Sequence, residues 1–460
     1  MSPRASHTRA QRLTLAGSIT GAAIVALDGT VLIVARPRMQ HDLDASLVAV
    51  QWTSTAYLIA VACLLVLAGR LGDRYGHQRL FALGILGFAV TSAGIGLAPG
   101  VGWVIALRVA QGVCGALLQP ATLGMLRAAY PADRLAMPIA LRTSAIGLAA
   151  AAGPVVGGAL TDQLGWRSVF FLTAVPAVAA GLLALVVRVP QPSADRTAGL
   201  DLPGAGLLAV ALACLVHTLV GIPEHGWTTA TAFGLAAAVA AGCWFARHER
   251  RAASPLLPPA VLRSTTLVSA LGVLLTASAT LFGVLFLGTY FLQDVLGLDP
   301  LQSGLQALPL AVLMVLAAPV APALIRRRGA RWTTGAGMAL ITVGAALASR
   351  LDGSSGPVVI GGCFVLLGAG FGTVMVTATA VIVRDASVAD AGVAGGLQQT
   401  AMNVGPALGT AAATTLVGGE ALVTALGPAL LALAAVSAAG ALLTVHLPGP
   451  NRTRTATAAP

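Results

Sequence analysis

The chain has 460 residues, 57% of them hydrophobic and 9% charged, with a mean hydropathy of +0.87 and a formal net charge of +11. A water-soluble domain carries about 25% charged residues, so this composition excludes a soluble enzyme or binding module. Runs of about 20 apolar residues recur, each long enough to cross the ~30 Å hydrocarbon core as a helix, whereas barrel strands would need an alternation that is absent.

In chain order the runs predict an all-α polytopic membrane protein with 14 transmembrane helices, at 13–35, 48–68, 79–98, 102–126, 136–160, 167–187, 204–222, 229–246, 265–292, 303–325, 332–349, 357–383, 392–417 and 421–446. The Arg-rich first twelve residues followed by an apolar run resemble a signal peptide, but the run is about 23 residues long without a convincing cleavage site. It is read as an uncleaved first span. The five cysteines (Cys63, Cys114, Cys214, Cys243 and Cys363) all lie inside apolar runs with no CxxC spacing, and read as small packing residues rather than disulfides or metal ligands.

All 27 basic residues are arginine. With the N-terminus inside, Arg36, Arg38, Arg167 and Arg350 lie outside, Arg108 lies within a span, and the other 22 fall in or beside inner loops and termini. This asymmetry is the positive-inside rule, and it predicts cytoplasmic termini; the all-Arg, Ala/Gly-rich composition suggests a GC-rich bacterial genome and hence a bacterial plasma membrane. The positive charge therefore reads as topology, with lipid rather than nucleic acid as the partner.

The connectors 188–203 and 247–264 are the only extended polar loops, and they bracket a pair of spans. The resulting division is an N-terminal six-helix half at 1–188, a two-helix insertion with flanking loops at 189–264, and a C-terminal six-helix half with its tail at 265–460. The halves echo each other. In the turn GRLGDRYGHQR at 69–79, Leu71, Arg74 and Gly76 align with Leu324, Arg327 and Gly329 of LIRRRGAR at an offset of 253, and GPVVG at 153–157 is echoed by GPALG at 405–409 at an offset of 252. Asp73 aligns with Arg326, so only the first copy carries an acid. Repeated membrane halves are characteristic of transporters, whose binding site is expected between the halves near mid-bilayer.

Asp28 is read as the acidic residue well inside a span, ~22 Å from its start at 1.5 Å per residue. A carboxylate there costs ~3 kcal/mol and usually faces a cavity or proton path; a shifted first span would instead put Asp28 in the headgroup zone. Arg108 has Gln111, backbone carbonyls or Asp28 as candidate partners, or could snorkel to the outer surface. Gly153, Pro154, Gly157 and Gly158 permit close helix contact and a kink, which fits either plain packing or a pivot. His217 is a possible proton relay and more simply a polar helix contact. Trp52, Tyr57, Gln111, Phe286, Tyr290, Gln398, Gln399 and Asn403 are read as candidates to line a cavity that stacks flat apolar ligands, although singly each fits plain packing. The GxGxG at 368–372 lies within a span, and no GxxxxGK[ST], HExxH or GxSxG occurs, so neither ATP-driven pumping nor hydrolysis has a motif. No metal or cofactor is expected.

Together these residues resemble the major facilitator superfamily, and within it the fourteen-span drug:proton antiporters. Gly69, Leu71, Asp73, Arg74 and Gly76 match the loop signature G-x-L-x-D-R-x-G-R-[RK], with His77 and Gln78 where basic residues are usual. LDGTVLIVARP resembles LD-x-T-[IV]-V-N-V-A-L-P, RVAQG resembles R-x-x-Q-G, and GPVVGG resembles the exporters' fifth-span signature. The resemblance spans residues 13–446. It implies proton-coupled export by alternating access, powered by the proton gradient, from a functional monomer. It further implies that Asp73 pairs with the end of a later-half helix as a conformational latch with Gly69, Arg74 and Gly76, that Asp28 and Arg108 serve proton coupling, and that Gly153, Pro154, Gly157 and Gly158 make the helix contacts of antiport.

The function expected is export of amphipathic drugs or antibiotics. With one carboxylate in the spans, neutral or monocationic compounds are the expected cargo. An exporter dedicated to one endogenous natural product is the alternative; an uptake permease or a non-transporting sensor fits less well.

Overall fold

The computed structural model describes residues 3–186, 200–252, 254–298, 300–417 and 422–449. The boundary expected at residue 188 falls outside the described residues. The described chain is helical, with α1 Pro3–Asp42, α2 Leu47–Tyr75, α3 His77–Gly96, α4 Val101–Ala129, α5 Ala136–Leu164, α6 Arg167–Val186, α7 Leu202–His225 and α8 Thr229–Glu249. There follow a short α9 Pro259–Arg263, α10 Thr265–Tyr290 with a π-helical turn at Phe291–Val295, α11 Pro300–Ala348, α12 Pro357–Asp385, α13 Ala391–Val417 and α14 Leu422–Leu443.

Among the described residues, 12 helices are long and apolar enough to cross a membrane. That number differs from the fourteen expected for two local reasons. The 49-residue α11 counts once, although Gly329 interrupts it at φ 80° and ψ 165°. The 27-residue α13 is rich in Gly, Ala and Gln, and is not among the twelve.

Helices α1–α6 pack mainly against one another, through α1–α5, α2–α4, α3–α4 and α3–α6. Helices α10–α14 form a second bundle, through α10–α13, α11–α12, α10–α12, α10–α14 and α11–α14. Each bundle has its own apolar core, around Phe81, Ile85, Phe88 and Leu118 in the first and Leu274, Met338, Phe371 and Leu433 in the second. The bundles meet chiefly along α2–α13 and α5–α11, while α7 lies against α2 and α13 and carries α8 on its far side.

Local signals set the helix ends. Ser46 caps α2 through the Ala49 amide, and Thr228 with Thr231 forms a capping box on α8. Asp201 caps α7 through Gly204 and is 2.8 Å from His248 at the end of α8. Burial pushes the Asp201 carboxyl up, but the Gly204 amide and His248 outweigh it and hold the group below its ordinary value.

Candidate transport pathway

The first polar cluster forms because α4 places Arg108 and Gln111 three residues apart, on one face, and follows them with Gly112. A Cβ on Gly112 would meet the Tyr57 carbonyl oxygen at 2.7 Å, so only glycine lets α2 approach this closely. That approach lays the Tyr57 ring 4.2 Å from the Arg108 guanidinium carbon. Arg108 Nη1 donates to Asp28 Oδ2 at 2.6 Å and to Gln111 Oε1, while its Nε donates to the Thr53 carbonyl at 3.0 Å. Gln111 Nε2 donates in turn to Ser92 at 2.7 Å and to Asp28 Oδ1 at 3.3 Å. Asp28 and Arg108 are 3% and 1% exposed, so the charges neutralise each other away from water and lipid. Charges inside a bilayer are tolerated chiefly in such paired arrangements. Arg108 does not snorkel.

The Gly153–Gly158 stretch packs on the segment that carries Asp28. A Cβ on Gly153 would drive into the Thr30 side chain, and one on Gly157 would lie 2.7 Å from Val31 Cγ1. Gly158 is looser, with Val34 as its neighbour, and the side chain of Pro154 lies outside those described.

The second cluster lies at the other end of α2. Asp73 Oδ1 accepts from the Gly392 amide at 2.7 Å and Oδ2 from the Val393 amide at 3.1 Å, so the carboxylate caps the start of α13 in the opposite bundle. A carboxylate is favoured there by free N–H groups and by the helix dipole. His77 Nε2 is 3.2 Å from Asp73 Oδ1. Cβ atoms on Gly69 or Gly392 would each strike the other's carbonyl oxygen, so α2 and α13 touch backbone to backbone. Arg70 adds an ion pair to Asp390 at 3.6 Å and a hydrogen bond to the Pro255 carbonyl. Gly76 turns the chain into α3 at φ 98°, a conformation that side chains rarely adopt. The Arg74 guanidinium lies 5.4 Å from the Tyr75 ring.

Between the two clusters lies a cavity of about 490 Å³, drug-sized by volume, with walls from both bundles and α7. Its apolar lining includes Ile146, Phe282, Met375 and Met402; Gln119, Gln399, Asn403 and Arg142 supply polarity, and Tyr57 and Gly29 face it. Of the eight residues read from the sequence as its lining, Tyr57, Gln399 and Asn403 are there. Gln111 is taken up by the Asp28 cluster, and Gln398 is buried against Thr379 at 3.3 Å. Trp52 stacks on His217, with ring centroids 5.6 Å apart, and Phe286 and Tyr290 pack edge to face at 5.0 Å; none of these four lines the cavity.

Arg142 is the residue the sequence reading missed. It counted among the inner-side arginines because it lies near the start of its run. In α5 it stands six residues past Ala136, ~9 Å along the helix, and is 1% exposed.

The Major Facilitator Superfamily profile matches residues 19–410. The chain is 42% identical over 414 residues to the tetracenomycin C resistance and export protein of Streptomyces glaucescens, covering 88% of this chain and 77% of that one. It is 33% identical over 467 residues to the cephamycin export protein CmcT of Amycolatopsis lactamdurans, covering 98% and 95%, and 30% identical over 405 residues to the multidrug resistance protein Stp of Mycobacterium tuberculosis, covering 88% and 75%. The crystal structure of the human organic anion transporter MFSD10 (TETRAN) has the same fold, at a TM-score of 0.67 and 14% identity over 96% of this chain and 100% of that one. With paired charges inside a two-bundle helical membrane protein and a cavity where the bundles meet, the chain belongs to the major facilitator superfamily of membrane transporters.

Proposed function

We propose that this chain is a proton-coupled exporter of amphipathic drugs or antibiotics, an antiporter that works by alternating access. The reading includes fourteen spans arranged as six, two and six, with both termini in the cytoplasm. The break at Gly329 and the length of α13 support that number, and the placement of the arginines supports the orientation. The relatives named as antibiotic resistance and export proteins support the direction of transport.

The observation that carries the reading is the Asp28–Arg108 pair buried beside the cavity. A proton arriving from outside neutralises Asp28 and removes the electrostatic hold on Arg108. Arg108 is not stranded, because Gln111 Oε1 and the Thr53 carbonyl still accept from it. Such retained partners matter, since a buried charge left alone costs on the order of 3–5 kcal/mol. The loosened α1 can then shift on α5 at Gly153 and Gly157. Tyr57 joins the two sites: its ring lies against Arg108 and also faces the cavity, so cargo and proton act on the same side chain.

The Asp73–α13 contact is the latch. It joins the bundles at the cytoplasmic end and is intact when that end is closed, so it must break before cargo enters from inside. The test is drug-dependent proton release from inverted vesicles. Asp28→Asn is expected to abolish it while the protein still inserts and folds; proton-coupled transport at the wild-type level would remove Asp28 as the carrier. An exporter dedicated to one endogenous natural product is the second reading, favoured by the identity to the tetracenomycin C exporter. A susceptibility panel in a pump-deficient host separates the two.

A further inference from the structure

Arg142 is a buried cation without an internal counter-charge. It is 1% exposed, its Nε is buried with no hydrogen-bond partner, and its guanidinium makes no ion pair or hydrogen bond among the described residues. The contrast with Arg108, equally buried and bonded to Asp28, Gln111 and Thr53, is complete. An isolated buried charge is costly, and the fold itself gains nothing visible from this one.

Its surroundings supply a use. Arg142 lines the cavity, as do Gln119 of α4 and Gln399 of α13. Those two neutral groups are already engaged, Gln399 donating to Gln119, and Asn403 Nδ2 donates to the Gln399 carbonyl at 2.8 Å. Among the described residues no acidic side chain lines the cavity. The guanidinium is thus, among the described residues, the one cation of a chamber otherwise lined by apolar, amide and hydroxyl side chains, and its planar fork of donors matches an oxyanion.

We propose that Arg142 is an anion subsite, binding the carboxylate or ionised phenol of an amphipathic cargo whose apolar body lies among Ile146, Phe282, Met375 and Met402. The proposal rests on the exporter reading and replaces the neutral or monocationic cargo anticipated from Asp28 alone with an acidic one. Cargo that neutralises Arg142 also relieves the cost of its burial, so binding energy comes from a group already in place in the chamber wall.

The experiment compares pyrenebutyrate with its methyl ester, which differ in the charge and a single methyl group. Fluorescence anisotropy measures binding of each to the purified full-length wild type, Arg142→Lys and Arg142→Gln. The wild type is expected to bind the acid at least tenfold more tightly than the ester, Arg142→Lys to keep part of that preference and Arg142→Gln to lose it. Ligand-free Arg142→Gln is expected to melt at a higher temperature than wild type, because an uncompensated charge has gone; a merely structural arginine would give a fall. Equal binding of acid and ester by the wild type, no binding of the acid, or a preference that survives in Arg142→Gln overturns the subsite. Parallel uptake by energised inverted vesicles separates this from the exporter reading. Uptake of the ester without the acid keeps the exporter and overturns the subsite, whereas uptake of neither, nor of a monocationic dye, overturns the exporter while the binding preference still decides the subsite.

Discussion

The chain contains the same turn twice, and the two copies have been put to different uses. At 69–79 and at 322–332 a glycine with positive φ, Gly76 at 98° and Gly329 at 80°, sends the chain from one helix into the next, 253 residues apart. Around the first, Asp73 binds the amides of α13, and Gly69 meets Gly392 backbone to backbone. Around the second, Arg326 stands at the position of Asp73 and Pro322 at that of Gly69. There the bundles leave a cleft of about 650 Å³ lined by Asp133, Arg134, Arg326 and Arg384. The turn is thus a structural module that both halves need, and the acid with its glycine contact is an addition made on one side. One half grips; the other leaves room.

Three pairs of substitutions would break or sharpen that contrast, from largest effect to smallest. Gly392→Ala places a methyl group against the Gly69 carbonyl, where neither backbone can yield cheaply, and is expected to reduce vesicle transport more than tenfold. Its counterpart on the other side, the buried Ile139→Val, costs only about 0.5–1.5 kcal/mol and should leave transport within twofold. Equal effects from the two would mean that the α2–α13 contact has no special role. Next, Asp73→Asn keeps one acceptor but loses the charge that favours a helix N-terminus, and a fall of several-fold in transport is expected, against no loss for Arg326→Gln. Should Arg326→Gln be the more damaging, the open cleft rather than the latch controls the cycle. Last, Gly76→Ala and Gly329→Ala each force a side chain into the left-handed region at about 1–2 kcal/mol. Similar falls in the detergent melting temperature would show the turn itself to be symmetric.

What the sequence makes legible here follows from rarity. Asp28 and Arg108 are conspicuous because a charge inside an apolar run is seldom tolerated, and Gln111 sits one helical turn from Arg108. The two turns announce themselves through Gly, Arg and the constant offset. Arg142 is hidden by the same reasoning, since six residues from a helix start a long side chain can snorkel or point inward with no difference in pattern. Only the packing of α5 on α1, α11 and α12 decides. The cavity wall is hidden for another reason: Val216, Val220, Phe282 and Pro406 read as lipid-facing or core residues until two separate bundles are set face to face. Trp52, Phe286 and Tyr290 mislead because aromatic rings suit a helix–helix seam as well as a ligand wall. The helix number is blurred where α13 trades bulky apolar residues for the Gly and Ala that let it approach α2 and α10.

The shared ring of Tyr57 carries a thermodynamic obligation. Because it touches Arg108 on one side and the chamber on the other, occupancy of the chamber and protonation of Asp28 belong to one closed cycle of equilibria. Whatever factor a bound ligand imposes on the proton's affinity, the proton must impose on the ligand's, with no freedom for the two to differ. On the proton coupling proposed above, a ligand whose binding is indifferent to the protonation of Asp28 could not draw on the proton, and it would occupy the chamber as an inhibitor rather than as cargo.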